Sequence, residues 1–137
     1  MRNLLTAEES AKLIELGVSP ERASEICIDF NGAGRYAYVC GEEAQLVRYC
    51  VNGHFYVEEC RIFTLTDILD ILPKTLDVKG ESARLQVYNH PAGYWVVSYA
   101  TCDGGTLTYQ TSCFSSPELI DALYSLLVWC LEKGHVK

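Results

Sequence analysis

The chain has 137 residues, 49% of them hydrophobic, with 18 acidic against 11 basic groups for a net charge of −7, and seven cysteines. That length suits one domain able to bury a core without metal or disulfide support, and the apolar fraction excludes a disordered chain. The charge argues against nucleic-acid binding, where Lys and Arg neutralise phosphates and supply most of the affinity.

The N-terminus turns acidic at Glu8-Glu9 directly after Leu4-Leu5, which leaves no hydrophobic region for a signal peptide. The longest helix-like apolar stretch, Leu119 to Leu131, is shorter than a membrane span and is interrupted by Asp121 and Ser125. These features predict a cytoplasmic protein with no membrane crossing. The cysteines at 27, 40, 50, 60, 102, 113 and 130 include no two closer than ten residues, whereas structural zinc sites show at least one close pair of ligands. Free thiols in a reducing compartment are expected, with no metal and no other cofactor.

Thr6 and Glu9 form a capping-box pattern ahead of Ala11, Leu13, Ile14 and Leu16, and Gly17 supplies a left-handed stop. Ser19-Pro20 predicts one or two further helical turns, through about Ile26. Asn31 to Gly34 is a turn, and Tyr36 to Cys40 is rich in β-forming residues. Leu46–Val51 and His54–Val57 flank Asn52-Gly53, a strong hairpin signal because both turn residues must accept positive φ. Thr64 and Asp67 cap a helix carrying Leu65, Ile68, Leu69, Ile71 and Leu72, and Pro73 ends it.

Three strands are predicted near 84–88, 94–101 and 106–113. A three-residue loop, Asp103-Gly104-Gly105, would keep one face apolar by setting Trp95, Val97 and Tyr99 opposite Cys113, Thr111 and Tyr109. Ser116-Pro117 starts a final helix running to about Lys133 before Gly134. Its apolar arc is wider than one sheet face needs, so it is expected to pack on two sides. The order predicts an α+β fold in a single domain, 1–137. Its mainly antiparallel sheet, an N-terminal hairpin plus a C-terminal three-strand meander, would be covered on one face by helices and end in a long helix.

Glu15-Leu16-Gly17 before Ser19-Pro20, the block Phe63 to Leu69 with Leu72-Pro73-Lys74, and the ending Leu119 to Leu123 with Trp129 to Glu132 and Gly134 carry a resemblance. In these segments the chain resembles a family of small proteins from gut anaerobic bacteria that recur in prophage-like and conjugative regions. The resemblance covers nearly the whole chain in the same order and rests on caps, helix stops and apolar helix faces. It implies a bacterial origin, on a mobile element, and transfers no catalytic residue.

Chemical constellations are sparse. His54 with Cys50 and Cys60 would be the natural metal set, but the hairpin register turns His54 away from Cys50 and leaves Cys60 roughly 20 Å along the strand. A Cys113 nucleophile with His90 as base is disfavoured, because the expected register sets Cys113 on the apolar face, where a thiol is inert. Asn31-Gly32-Ala33-Gly34 lacks the Lys-Ser/Thr of a phosphate-binding loop.

Two surfaces stand out instead. Glu42, Glu43, Glu58 and Glu59 gather at the open end of the hairpin, where they either engage a basic partner or form a solvated rim. From residue 85 to 132 there is no Lys or Arg. The outward face of the meander carries Tyr94, Val96, Ser98, Ala100, Thr106, Thr108, Gln110 and Ser112, and Tyr94, Val96, Thr108 and Gln110 are taken as its candidate contacts. The chain is read as a non-enzymatic interaction domain that self-associates, as a dimer, or binds another protein, with no nucleic-acid or membrane partner. The alternative is a ligand-binding protein or enzyme with a pocket between sheet and helices, near Trp95 and Trp129.

Overall fold

The structure, a computed structural model, describes residues 2–30, 36–39, 57–78, 80–103, 106–109 and 113–136. Its architecture is α+β. Its contacts group into two compact units, Leu4–Asp67 and Ile68–Lys137 with Met1–Asn3, and each holds its own antiparallel sheet where a single sheet was expected.

In the first unit, helix α1 (Ala7–Glu15) starts at a closed capping box. The Thr6 hydroxyl accepts the Glu9 N–H at 3.1 Å, and the Glu9 carboxylate accepts the Thr6 N–H at 3.0 Å. The helix stops at Gly17, whose φ of +113° lets Val18 N–H reach back to Leu13 O at 3.0 Å. Strands β1 (Glu25–Phe30), β2 (Tyr36–Val39) and β3 (Val57–Ile62) form a sheet ordered β2-β1-β3. Helix α1 packs on β3, and the buried Ser10 hydroxyl accepts the Phe63 N–H at 3.2 Å. Leu5, Leu13, Ile62 and Phe63 are buried.

The helical run expected through Ile26 reduces to one 3-10 turn, Pro20–Arg22. From Glu25 the chain is the central strand, paired on both sides. Two ladders of hydrogen bonds outweigh the weak local preference of a short helix, most of whose stability would have to come from packing. The expected Asn52-Gly53 hairpin lies outside the described residues, except for Val57 at the start of β3.

Helix α2 (Leu65–Ile71) begins at Thr64 as expected. The Asp67 carboxylate accepts the Thr64 N–H at 2.9 Å, and the Thr64 hydroxyl accepts the Asp67 N–H at 3.1 Å. The same carboxylate accepts the Ser24 N–H at 2.8 Å and the Ser24 hydroxyl, which pins the residue preceding β1.

The second unit holds β4 (Thr75–Val78), β5 (Glu81–His90), β6 (Tyr94–Asp103), β7 (Thr106–Tyr109) and β8 (Phe114–Ser116). The order is β4-β5-β6-β7, and β8 continues along the same edge of β6 as β7. Helix α3 (Leu119–Glu132) packs on β6 and β8 and buries Ile120, Leu123, Leu126, Leu127 and Cys130. Its start lies two residues beyond the expected one: Ser116 belongs to β8, and its hydroxyl accepts the Glu118 N–H at 3.2 Å. Arg2 ties the N-terminus to this helix, its backbone N–H on Glu118 and its guanidinium on Asp121. The helix ends as expected at Gly134, φ +76°, with His135 N–H on Cys130 O at 2.8 Å.

The meander register differs from the three-residue-loop expectation. Asp103 pairs with Thr106 and Ala100 with Tyr109, a two-residue connection. The expectation assumed one buried and one open face, yet Val97, Ser98, Tyr99 and Ala100 are all buried. With burial on both faces, hydrophobic alternation loses its hold on register and turn chemistry decides. Trp95 pairs with Ser116 and Val97 with Phe114, so Cys113 precedes β8 and is exposed rather than set against Trp95.

Burial alone would raise the Asp67 pKa, but the bonds from the Ser24 and Thr64 side chains and backbones outweigh it and hold the carboxyl below 3.8. The ionised form is thus favoured in the folded state. Its contribution is complete above the unfolded value and is lost as pH falls below it. Asp67→Asn is expected to cost about 2 kcal/mol at pH 7, because its amide group would face backbone donors. The cost should shrink below pH 3.8, which urea melts across pH will show.

Candidate functional site

The long hairpin β5–β6 closes through Pro91-Ala92-Gly93. Gly93, at φ +95°, donates its N–H to His90 O at 2.9 Å, and Ala92 N–H donates to His90 Nδ1 at 3.0 Å. A ring nitrogen that accepts carries no proton, so in the neutral imidazole this bond assigns the proton to Nε2. His90 stands opposite Tyr94 in the ladder. The two rings stack at 4.4 Å and 8°, and Tyr88 meets the imidazole edge-on at 6.0 Å and 88°. Residues 88, 90 and 94 share one face because side chains alternate along a strand and directly paired residues lie together.

Tyr88 is 50% exposed and Val87 42%, and they are the only exposed large hydrophobic residues among those described. Adjacent residues point to opposite faces, so what they share is a position on the strand rather than a face. That position is one edge of β5. Strand β4 pairs only with Glu81–Arg84, and Lys74 O adds one bond from Leu85 N–H at 3.1 Å. Extending the register would set Pro73 against Gln86 and Leu72 against Val87. Pro73 has no N–H to offer, and Leu72 belongs to the end of α2, its N–H on Ile68 O at 2.9 Å. No described strand pairs along that edge from Gln86 to His90.

Further along this face lies an open hollow of about 290 Å³ lined by Ser82, Arg84, Gln86 and Ala100. A second hollow, about 260 Å³, lies between β8 and the outer side of α3, lined by Phe114, Tyr124, Ser125, Val128, Trp129 and Glu132. Trp129 stacks on His135 at 5.2 Å. Neither hollow joins a nucleophile to a base, and among the described residues no three His, Cys, Asp or Glu side chains are grouped to hold a metal.

The expected contact residues are dispersed. Tyr94 belongs to the aromatic stack, and Val96, half-buried, lies two residues along the same face. Ser98 and Ala100, expected on the open face, are buried. Thr108 pairs with Thr101, whose position along β6 is of opposite parity to Tyr94 and Val96, so the register does not unite these residues on one face. Gln110, Glu42 and Glu43 lie outside the described residues. Glu58 and Glu59 are in β3, opposite Asp29 and Ile28 of β1. Sequence reasoning missed Val87 and Tyr88. The available signal was two adjacent apolar residues in a strand, one of which has to point away from any single core.

Buried in the same unit, the Tyr99 hydroxyl donates to Pro73 O at 2.5 Å and is hydrogen-bonded to the Cys130 thiol. Burial pushes Cys130 up to about 11, with the Tyr99 hydroxyl acting weakly the other way. Burial, then the neighbouring thiol, also pushes Tyr99 well above its ordinary value of 10. Such a thiol is inert as a nucleophile.

Comparison with protein-family models, with curated proteins and with solved structures finds no match.

Two outcomes follow for these groups. In the native protein at pH 8, alkylation read by peptide mass spectrometry should modify Cys113 and spare Cys130 until the chain is unfolded. Cys130 keeps its proton when folded but loses it near 9 when unfolded, so stability should fall as pH rises from 9 towards 11. Cys130→Ala should flatten that decline in thermal melts.

Proposed function

We propose that the protein is a non-enzymatic protein–protein interaction domain. The observation that carries this reading is the exposure of Val87 and Tyr88 along a length of β5 that no described strand pairs on the β4 side. A strand edge offers unpaired N–H and C=O groups, and natural folds shield such edges with charge, proline or a covering element. Here the edge carries an aromatic side chain, the type enriched where protein surfaces meet. No helix is long and apolar enough to cross a membrane, and our reading of the compartment is the cytoplasm. The resemblance to small proteins of mobile elements in gut anaerobic bacteria supports a bacterial origin. The acidic residues Glu58 and Glu59, with Glu42 and Glu43, are the place for a basic partner in this proposal.

A second reading, a small-ligand protein, is favoured by the aromatic hollow beside Trp129. Its volume of about 260 Å³ falls below the usual ligand-site range of roughly 300–1,000 Å³, and Glu132 is the one charged side chain in its lining. We therefore prefer protein contact.

A photoreactive residue in place of Tyr88, used in extract of the native host, is expected to cross-link a protein chain, either this one or another. An added Val87→Lys substitution should remove the product without lowering the melting temperature. Recovery of small molecules alone, or no cross-link at all, would contradict the proposal.

A further inference from the structure

We infer that the hollow between β8 and α3 receives an arginine side chain of a partner protein. This rests on the interaction reading above and gives the partner a chemistry. Tyr124, Ser125, Val128, Trp129 and Glu132 follow helical spacing along one side of α3, turned away from the buried Leu123, Leu126, Leu127 and Cys130. Phe114 of β8 lines the other wall. The three rings of Phe114, Tyr124 and Trp129 are half-buried, so each keeps part of its surface open to solvent.

The lining selects a cation. Aromatic rings carry negative charge on their faces and attract an ammonium or guanidinium group. The one charged side chain of the hollow, Glu132, is exposed, and among the described residues its carboxylate has no hydrogen-bond or ion-pair partner. The two elements that form the hollow cannot supply a cation themselves, because β8 and α3 contain no Lys or Arg. Lys133, just past the helix, is exposed and lies outside the lining. The net charge of −7 adds a general attraction for a basic partner.

Size and shape choose arginine. A space of about 260 Å³ is small for a free ligand and suits a single side chain. A guanidinium is planar and weakly hydrated, stacks on aromatic rings, and offers a fork of N–H donors that matches a carboxylate, whereas an ammonium is a strongly hydrated point charge. Arginine is enriched where protein surfaces meet, and lysine is depleted there. Trp129 already carries one planar N–H-bearing group, the His135 ring stacked on it at 5.2 Å and 26°. An indole has two faces, and this stack uses one.

The test is an NMR titration of the full chain with N-acetyl-arginine amide at constant ionic strength, read at the indole and α3 backbone N–H resonances. A half-exposed site holds one side chain weakly, so a saturable shift of the Trp129 indole is expected with a dissociation constant of about 10 mM, the Trp95 indole staying still. N-acetyl-citrulline amide, of the same shape without the charge, should bind about fivefold more weakly, and the lysine counterpart should also bind less well than arginine. Glu132→Gln should weaken arginine about threefold. Trp129→Leu should abolish binding, read at the Val128 and Ser125 amides. Circular dichroism checks both folds, and Glu132→Gln, at an exposed position, carries the test alone if Trp129→Leu unfolds. No saturable shift by about 100 mM, equal binding of the citrulline or lysine form, or indifference to Glu132→Gln would overturn the inference. Tighter binding of free arginine than of the blocked form would overturn the assignment to a protein side chain. None of these results touches the Tyr88 cross-link, which tests the interaction reading separately.

Discussion

The hydroxyl of Tyr99 on the carbonyl of Pro73 sets the limits of the second unit's sheet. Tyr99 is fully buried in the middle of β6, with its hydroxyl bonded to a carbonyl 26 residues earlier in the chain. That bond holds the carbonyl of Pro73 where the chain passes from α2 to β4. Pro73 lies two residues before β4 and has no N–H to donate, so the bonding to β5 goes no further than Lys74. The neighbouring Cys130 thiol joins the same buried polar group, and both stay protonated because burial disfavours their charged forms. Among the described strands, β5 thus outruns its β4 partner from Gln86 onwards.

What could be read from the sequence follows the range of the interactions involved. The boxes Thr6–Glu9 and Thr64–Asp67, and the stops at Gly17 and Gly134, are decided within a few residues, and all four form as expected. Strand β1 was hidden because its stability lies in two ladders with distant segments, while Ser19-Pro20 gave a local helical signal. The Asp67 carboxylate was legible as a cap but not as the anchor of Ser24, which lies 43 residues away. The β6–β7 register was misread because Ser98 and Ala100 are as buried as Val97 and Tyr99, and a strand buried on both faces has no alternation to read. The site was half-legible. Absence of charge pointed to Tyr94 and Val96, but an edge is defined by where its neighbour stops, which no local pattern records.

Charge is unevenly distributed along the chain. Residues 1–81 hold 14 acidic and 8 basic groups, a net of −6, and residues 82–137 hold 4 and 3, a net of −1. Repulsion between like charges acts over about 8 Å at physiological ionic strength, so the acidic excess is felt only near the residues that carry it. The segment from 85 to 90 has none, and the nearest charged residue along the strand, Arg84, is a cation. A chain with 21% charged residues had ample means to place a lysine on this edge, the commonest protection against unwanted pairing. Instead it presents Val87, Tyr88 and Asn89, with Tyr88 edge-on to the His90 ring. Among the described residues, this length of β5 is thus set apart by two properties at once, the end of its β4 partner at Lys74 and the lack of charge from 85 to 90.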